Sequence, residues 1–459
     1  MSKAVNLVWF RNDLRVGDNP ALFYAAEKGT VIGVYLEAVE QRKLHDDADC
    51  KIGFINDTVK ELRKQLNQLN IPLHSFEVED YQQSVEKIEQ MVEQFQVSGV
   101  YFNNEYPLNE KERDESLEKI LLKRGITVNR YDGDLIIQPS SVATGKGEPY
   151  KVFTPYKKAW IEFHKTQGVS PLPKPGKQDY KIDEQKNYDF AHDYRNDLWP
   201  AGEQAAQDRL KVFLPKASYY KEQRDIPSVK GTSMLSPYLA VGAISARQCI
   251  SQLLEWHEGD EEAFYKDTWL SEIIWREFYR QIIIDNPQIS KHKAFKNDAK
   301  EVWNGPQEMF EKWCQAKTGF PLIDAAMRQL LQTGWMHNRL RMNVAMFLNK
   351  LCLIDWRQGE AFFMKHLIDG DFASNNGGWQ WCSSTGADGA PYFRIMSPIT
   401  QSKRFDPEGK FIRKLVPELA SLSDKDIHFP SSEQREELGY PQPMIDYKEA
   451  RKLALELLS

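Results

Sequence analysis

At 459 residues the chain is too long for one ordinary core, and two or more domains are expected. Its 41% hydrophobic and 27% charged residues mark a globular rather than a disordered protein. A formal net charge of −6 excludes nucleic-acid binding by whole-chain electrostatics, so any polyanion site must be a local basic patch. No apolar run is long enough to span a membrane, and Met1–Trp9 lacks the apolar stretch of a signal peptide. The cysteines Cys50, Cys249, Cys314, Cys352 and Cys382 are scattered without CxxC spacing, so neither a metal site nor a disulfide framework is expected, and a cytoplasmic, reducing home is.

The first third alternates between the two hydrophobic periods. Ala4–Phe10, Thr30–Glu37, Leu73–Val78, Gly99–Asn103 and Ile126–Tyr131 are short apolar runs rich in β-branched and aromatic residues and predict strands. Helical stretches near Pro20–Lys28, Ile52–Asn70, Tyr81–Gln96 and Asn109–Arg124 lie between them. This alternation predicts an α/β domain with a doubly wound parallel sheet over residues 1–132. No GxGxxG follows the first strand and no GxxxxGK(S/T) occurs, so the usual phosphate-cradling loops are absent. From Gly133 to Pro200 the pattern weakens, and SPLPKPGKQ (Ser170–Gln178) reads as part of an interdomain linker over 133–200. From Glu203 helical periodicity dominates, predicting an all-α domain over 201–459 with loops such as 396–410.

Four stretches of the helical half carry chemistry. Thr232, Ser233 and Ser236 place hydroxyls before Pro237; Ser236 as N-cap and Pro237 at the first helical position would make a phosphate seat or serve simply as a cap. Glu272, Trp275, Arg276 and Tyr279, following Trp269, share one helical face, which suits either a ligand pocket or an interhelical ion-pair cluster. In WMHNRLRM (Trp335–Met342), Asn338, Arg341 and Met342 align, with Arg339 one step round. Arg339 could meet a phosphate bidentately and Arg341 could pair with an acid such as Asp369. Pro398–Pro407 carries Lys403 and Arg404 side by side and reads as a solvated charged turn.

The most distinctive string is DGDFASNNGGWQWCSSTG, from Asp369 to Gly386. NNGG alone reads as an ordinary turn. Flanked by Asp369, Asp371, Trp379 and Trp381, it reads instead as a loop for a large flat cofactor, since glycines admit close approach, amides and acids fix polar ring edges, and tryptophans offer stacking surfaces.

Together these strings closely resemble the DNA photolyase/cryptochrome family over nearly the whole chain. VWFRNDLRVGDNPAL (Val8–Leu22) is similar to its opening signature, and WREFYR (Trp275–Arg280), WMHNRLRM, DGDFASNNGGWQW and SPITQSKRFDPEGKFIRKLVPEL (Ser397–Leu419) to its later ones. The resemblance implies an N-terminal antenna domain and a C-terminal helical domain that binds FAD non-covalently. It places Tyr220, Thr232, Ser233, Met234, Leu235, Ser236, Trp269, Arg276, Arg341, Asp369, Gly370, Asp371 and Asn375 around the flavin, with Arg341 and Asp369 as an ion pair and Asn375 facing flavin N5. Trp303, Trp356 and Trp379 match the family's electron-carrying tryptophans; as residues alone they read as core.

Positions that resemble catalytic histidines in the 6-4 photolyases are Asn338 and Met342 here, which implies a class I cyclobutane pyrimidine dimer enzyme. Glu272, Trp275, Asn338, Arg339, Met342 and Trp381 would then line the lesion pocket, and Arg224, Arg339, Lys403 and Arg404 would meet DNA phosphates. His45, Asn109, Glu110 and Lys291 match positions that hold a 5,10-methenyltetrahydrofolate antenna; Asn109 and Glu110 read alone as a helix cap with an acid in its first turn. The implied activity is light-driven splitting of dimers in damaged DNA by an electron from excited, reduced FAD, performed by a monomer with no obligate protein partner and no membrane. A cryptochrome-type photoreceptor is the alternative, and a dark flavin oxidoreductase a third.

Overall fold

The structure is a computed structural model that describes residues 4–179, 187–190 and 192–458. The chain divides into two compact units, Met1–Ala217 with Ser233–Ser290, and Ser218–Thr232 with Lys291–Ser459. Part of the sequence-predicted linker (180–186 and 191) lies outside the described residues.

The first unit is built on five parallel strands, β1 (Val5–Phe10), β2 (Thr30–Ala38), β3 (Leu73–Val78), β4 (Gly99–Asn103) and β5 (Thr127–Tyr131), in the order β3-β2-β1-β4-β5. Strands β2 and β4 are buried along their whole length, so the continuous apolar runs of the sequence report two covered faces rather than one. Register runs from Val5 beside Thr30 to Phe10 beside Tyr35, and from Asn6 beside Gly99 to Val8 beside Tyr101. The connecting helices are α1 (Pro20–Lys28), α2 (Val39–Leu44), α3 (Asp49–Gln68), α4 (Tyr81–Gln94) and α5 (Leu108–Lys123). Strand order reverses between β1 and β4, the place where doubly wound sheets open a crevice. Here polar side chains occupy the chain just beyond those strands. Arg11 donates to Asp114 (3.0 Å) and Asn103 to Asp13 (2.6 Å) and to the Asn19 amide oxygen (2.8 Å). The opening signature is therefore structural: Arg15, fully buried, donates to the carbonyls of Asp18 (2.8 Å), Gly133 (3.0 Å) and Gly242 (3.0 Å).

Two helices escaped the sequence reading. Six-residue α2 is too short to show a period. Helix α6 (Phe153–Gln167) buries Phe153, Tyr156, Trp160 and His164 on one stripe, inside the stretch read as patternless; Pro155 sits in its first turn, where a missing N–H costs nothing. The unit continues with α7 (Glu203–Ala217), and after a break with α9 to α12: Ser236–Ala240, Ala246–Trp256, Glu261–Lys266 and Thr268–Asp285.

The second unit holds α8 (Tyr220–Gln223) and then α13 (Gln307–Cys314), α14 (Pro321–Thr333), α15 (Asn338–Met346), a π-helical turn Phe347–Leu351, α16 (Trp356–Met364), α17 (Phe372–Ser383), α18 (Pro398–Phe405), α19 (Lys410–Leu415), α20 (Ser432–Leu438) and α21 (Tyr447–Leu458). One hydrophobic cluster runs through it, from Trp313 and Phe320 through Leu340, Phe347, Trp356 and Trp379 to Ile427 and Tyr440. The α/β plus all-α architecture matches the expectation. Two local expectations do not hold. Residues 372–383 form a helix rather than a cofactor loop or a turn, and 398–405 form a helix rather than a charged turn.

Candidate functional site

In the first unit the relevant surface is one side of α12, which starts where the Asp267 carboxylate accepts the Trp269 N–H (2.6 Å). Glu272, Trp275, Arg276 and Tyr279 are half-buried, whereas Ile273, Ile274, Glu277 and Phe278 are buried, so the predicted mixed face is the open one. Its members are not idle. Trp275 stacks on Phe153 with centroids 3.7 Å apart, and Arg276 and Arg280 both pair with Asp134. Burial opposes the ionisation of Asp134, yet the two guanidiniums outweigh it and hold the carboxyl below its usual range. The ion-pair reading of this stripe is thus present in the structure, with a guanidinium pair on Asp134 and an aromatic stack beside it. The buried side is fixed by Glu277, which accepts from the N–H groups of Ile136 and Ile137 (2.9 Å each) and from Trp160 Nε1 (3.2 Å). Trp269 is buried against Phe213, with centroids 4.9 Å apart.

The hydroxyl run needs correction. Helix α9 begins at Ser236 with Leu235 as N-cap and no side-chain cap bond; Ser236 does not cap. The bend is made instead by Met234 in the left-handed region (φ 52°), while Ser233 Oγ accepts the Leu235 N–H (3.4 Å).

In the second unit the sequence-predicted candidates lie on and around α15, α16 and α17. Asp371 caps α17 by accepting the Ser374 N–H (2.9 Å). Asn375 Nδ2 donates to the Glu360 carbonyl (3.0 Å), and Asn376 Nδ2 to the Glu360 carboxylate (2.8 Å). The amide pair therefore locks α17 to α16. A Cβ built on Gly378 would meet nothing within 4 Å, and a Cβ on Gly359 would lie 2.1 Å from the Trp379 ring. One glycine leaves open space, while the other lets an aromatic ring lie against helix backbone. Two residues apart on a helix, the tryptophans diverge: Trp379 is buried and Trp381 half-buried under Arg394, whose guanidinium lies 5.5 Å from its ring. Trp356 and Trp379 belong to the hydrophobic cluster and Trp303 packs against it.

The predicted Arg341–Asp369 pair is present, with contacts of 2.8 and 3.0 Å and Asp369 buried beside Gly370. Arg341, Met342 and exposed Asn338 lie along the solvent side of α15. Arg339 pairs bidentately with Asp225 (2.7 and 3.2 Å) and lies over Phe405 (4.8 Å). Arg224 lies over the Tyr220 ring (5.5 Å). Lys403 and Arg404 are exposed on the last turn of α18.

Among the residues that escaped the sequence reading are Asp225, His337 and Trp313. Asp225 orients Arg339. His337 Nδ1 accepts the Arg339 N–H (3.2 Å) at the start of α15, and burial pushes its imidazole down to about 4. Buried Trp313 lies edge-on to Trp379 with centroids 6.1 Å apart. His337 stood in a motif already singled out; the other two carried no local signal.

The antenna candidates of the first unit lie on segments that follow β2 and β4. His45 Nε2 is 3.1 Å from the Asn109 amide nitrogen, and His45 Nδ1 is 3.5 Å from the Glu110 carboxylate. Glu110 Oε1 accepts from Tyr81 (2.8 Å), while its Oε2 is buried without a partner. Helix α5 is capped by neither residue, since Pro107 is its N-cap. An orphaned carboxylate oxygen beside an amide fits the N–H edge of a pterin. Lys291 ends the 3₁₀ turn Pro287–Lys291. In the second unit the Arg341–Asp369 pair and the Asn375 amide offer donors and acceptors of the kind a heteroaromatic ring edge takes.

A doubly wound parallel sheet, followed in the chain by a helical unit that bears an acid–amide–tryptophan helix, narrows the class to that of the solved structures it is similar to. Residues 6–176 match the family model described as DNA photolyase, and residues 269–459 match the FAD binding domain of DNA photolyase; the chain belongs to the DNA photolyase family, and its C-terminal part is an FAD-binding domain. It is 42% identical to a deoxyribodipyrimidine photo-lyase of Vibrio cholerae, over 99% of each chain. Among solved structures it is similar to a class III photolyase of Agrobacterium tumefaciens (TM-score 0.87, 32% identity, 100% of this chain and 97% of that one). It is also similar to a cryptochrome of Synechocystis sp. PCC6803 (TM-score 0.85, 26% identity, 100% and 99%). No described helix is long and apolar enough to cross a membrane.

Proposed function

We infer that this chain repairs cyclobutane pyrimidine dimers in DNA by light-driven electron transfer, as a class I enzyme of its family. The observation that carries the inference is full-length kinship to photo-lyases combined with an α15 face that presents Asn338 and Met342 rather than imidazoles. When bound, FAD in its reduced, excited form supplies the electron that opens the cyclobutane ring and takes it back, and a methenyltetrahydrofolate supplies added absorption.

The chain's own residues set the conditions. Tyr220, Thr232–Ser236, Trp269, Arg276, Arg341, Asp369, Gly370, Asp371 and Asn375 would hold the flavin. With its Nδ2 committed to the Glu360 carbonyl, Asn375 has Oδ1 as its remaining polar atom, an acceptor suited to the N–H that only a reduced flavin carries at N5. The Arg341–Asp369 pair balances charge beside it. Glu272 would hydrogen-bond the pyrimidine edge, Trp275 and Trp381 would flank the two rings, and Asn338 and Met342 would complete the pocket. Arg224, Arg339, Lys403 and Arg404 would meet phosphates. Extruding an already weakened pair costs about a few kcal/mol. Trp303, Trp356 and Trp379 would carry electrons inward to restore the reduced cofactor. His45, Asn109, Glu110 and Lys291 would hold the folate. The functional division follows the sequence, with antenna over 1–132, linker over 133–200 and FAD- and DNA-binding part over 201–459. Work in the cytoplasm as a monomer belongs to the same inference.

The test is illumination of the protein, with reductant, on dimer-containing oligothymidylate. Loss of dimers in the light and not in the dark supports repair. A bound flavin that photoreduces while the dimers persist would instead support a light-sensing role, the reading favoured by the likeness to the Synechocystis cryptochrome.

A further inference from the structure

Within the second unit, residues 301–305 carry Trp303, and two fastenings hold that segment to the chain around the start of α16. At one end the Gly305 N–H donates to the Leu353 carbonyl (3.0 Å), and a Cβ on Gly305 would lie 1.9 Å from the Cys352 carbonyl oxygen. Only glycine admits so close an approach. At the other end Arg357 grips Glu301 with both arms, Nη1 to Oε2 (3.1 Å) and Nη2 to Oε1 (3.0 Å). The same guanidinium donates through Nη1 to Asp355 (3.2 Å) and through Nε to the His292 carbonyl (2.7 Å). Asp355 in turn caps α16 by accepting the Arg357 N–H (3.0 Å). A partly exposed ion pair stabilises little by itself. Here all three nitrogens of one planar fork are engaged, which fixes where its charge sits.

That place is over the indole of Trp356, with the guanidinium carbon 4.7 Å from the ring centre. Trp356 is fully buried, and its Nε1 has no hydrogen-bond partner among the described residues. An oxidised Trp356 therefore has no neighbouring group to take its N–H proton and stays a radical cation. The neutral ring is drawn to a guanidinium, but a ring bearing a full positive charge is repelled by it. Trp303 is half-buried, within reach of water, on the segment that carries the Glu301 carboxylate. Positive charge is better tolerated there.

We propose that Arg357 is a positioning residue for reduction of the flavin: it ties the Trp303 segment to α16 and, by its charge over Trp356, drives the oxidised site outward to Trp303. This rests on the electron-carrying role inferred above for Trp303, Trp356 and Trp379. One electron moves inward at each hop, from Trp356 to oxidised Trp379 and from Trp303 to oxidised Trp356. An added thiol refills Trp303, releasing its proton to water and becoming the thiyl radical. Dimer splitting, in which the lent electron returns, does not pass through these residues. Arg357 thus serves photoreduction and not repair itself.

The test compares wild type, Arg357→Met, Arg357→Lys and Trp303→Phe after a light flash in the presence of thiol. The readouts are the lifetime of the tryptophan radical absorption and the yield of reduced flavin. Arg357→Met keeps an apolar stem and loses the charge; its radical lifetime and its yield should both fall roughly tenfold. Arg357→Lys keeps the charge but loses the two-armed grip, and should fall between wild type and Arg357→Met. Both should split dimers at the wild-type rate once their flavin has been reduced chemically. A readout that needs no light is urea unfolding of Arg357→Met, Glu301→Gln and the double variant. The double variant should be no less stable than Arg357→Met alone, since the pair is already broken. Wild-type lifetime and yield in Arg357→Met, equal loss of photoreduction and dimer splitting, or additive losses of stability would each overturn the proposal. Should Arg357→Met fail to fold, wild-type photoreduction in Arg357→Lys overturns it. Trp303→Phe separates two failures: if it photoreduces normally, the tryptophan route itself fails, and if it alone is impaired, only the role of Arg357 does.

Discussion

His337 caps α15 through Nδ1, which can accept the Arg339 N–H only while unprotonated. Burial holds the folded imidazole at about 4 against an ordinary 6.5. As pH falls, the unfolded chain therefore binds the proton first, and stability present above about 6.5 is lost toward pH 4. His337→Asn, whose amide oxygen can still cap, should flatten that acid limb in urea unfolding followed from pH 7 to pH 4; an unchanged limb would place the acid sensitivity elsewhere. The neighbouring Arg339 presents a guanidinium pre-oriented by Asp225. Arg339→Ala should weaken binding to dimer-containing DNA and lower the salt slope by about one. Equal affinity and slope in the variant would remove Arg339 from phosphate contact. At this scale the sequence was partly legible. Motifs exposed Arg339, Arg341, Asp369 and Asn375, but not Asp225 or Asp134, because an ion pair spanning more than a hundred residues leaves no periodic trace.

Among the elements, α16 and α17 carry the amide–tryptophan part of the candidate site and meet at one close approach. Gly359 on α16 leaves room for the ring of Trp379, and Phe363 meets that ring edge-on at 5.0 Å. Gly359→Ala should push the tryptophan out of place at a cost of about 1–3 kcal/mol and slow flavin photoreduction. Thermal unfolding and illumination under reductant check the two effects together; a stable variant with normal photoreduction would show that the ring can yield. The helical state of Phe372–Ser383 was the largest misreading. NNGG signals a turn, and two glycines cost about 2 kcal/mol in a helix interior. The bonds from Asn375 and Asn376 to Glu360 offset part of that. The Asp371–Ser374 cap was a legible start signal that the glycines masked. Strands β2 and β4 were read nearly to the residue, because a strand covered on both faces needs an unbroken apolar run.

For the molecule as a whole, a net charge of −6 requires DNA affinity to come from placed cations rather than from bulk attraction, so it should decline steeply with salt. Its chemistry should be redox-neutral: the electron lent to a dimer returns, and no reductant is consumed per repair. The decisive measurement is the number of dimers split per flavin oxidised, under anaerobic illumination after the protein has been fully reduced and excess reductant removed. Light-driven repair predicts many dimers lost for each flavin, with the reduced absorption spectrum intact at the end. No dimer loss, or one dimer at most per flavin with the flavin left oxidised, would contradict it.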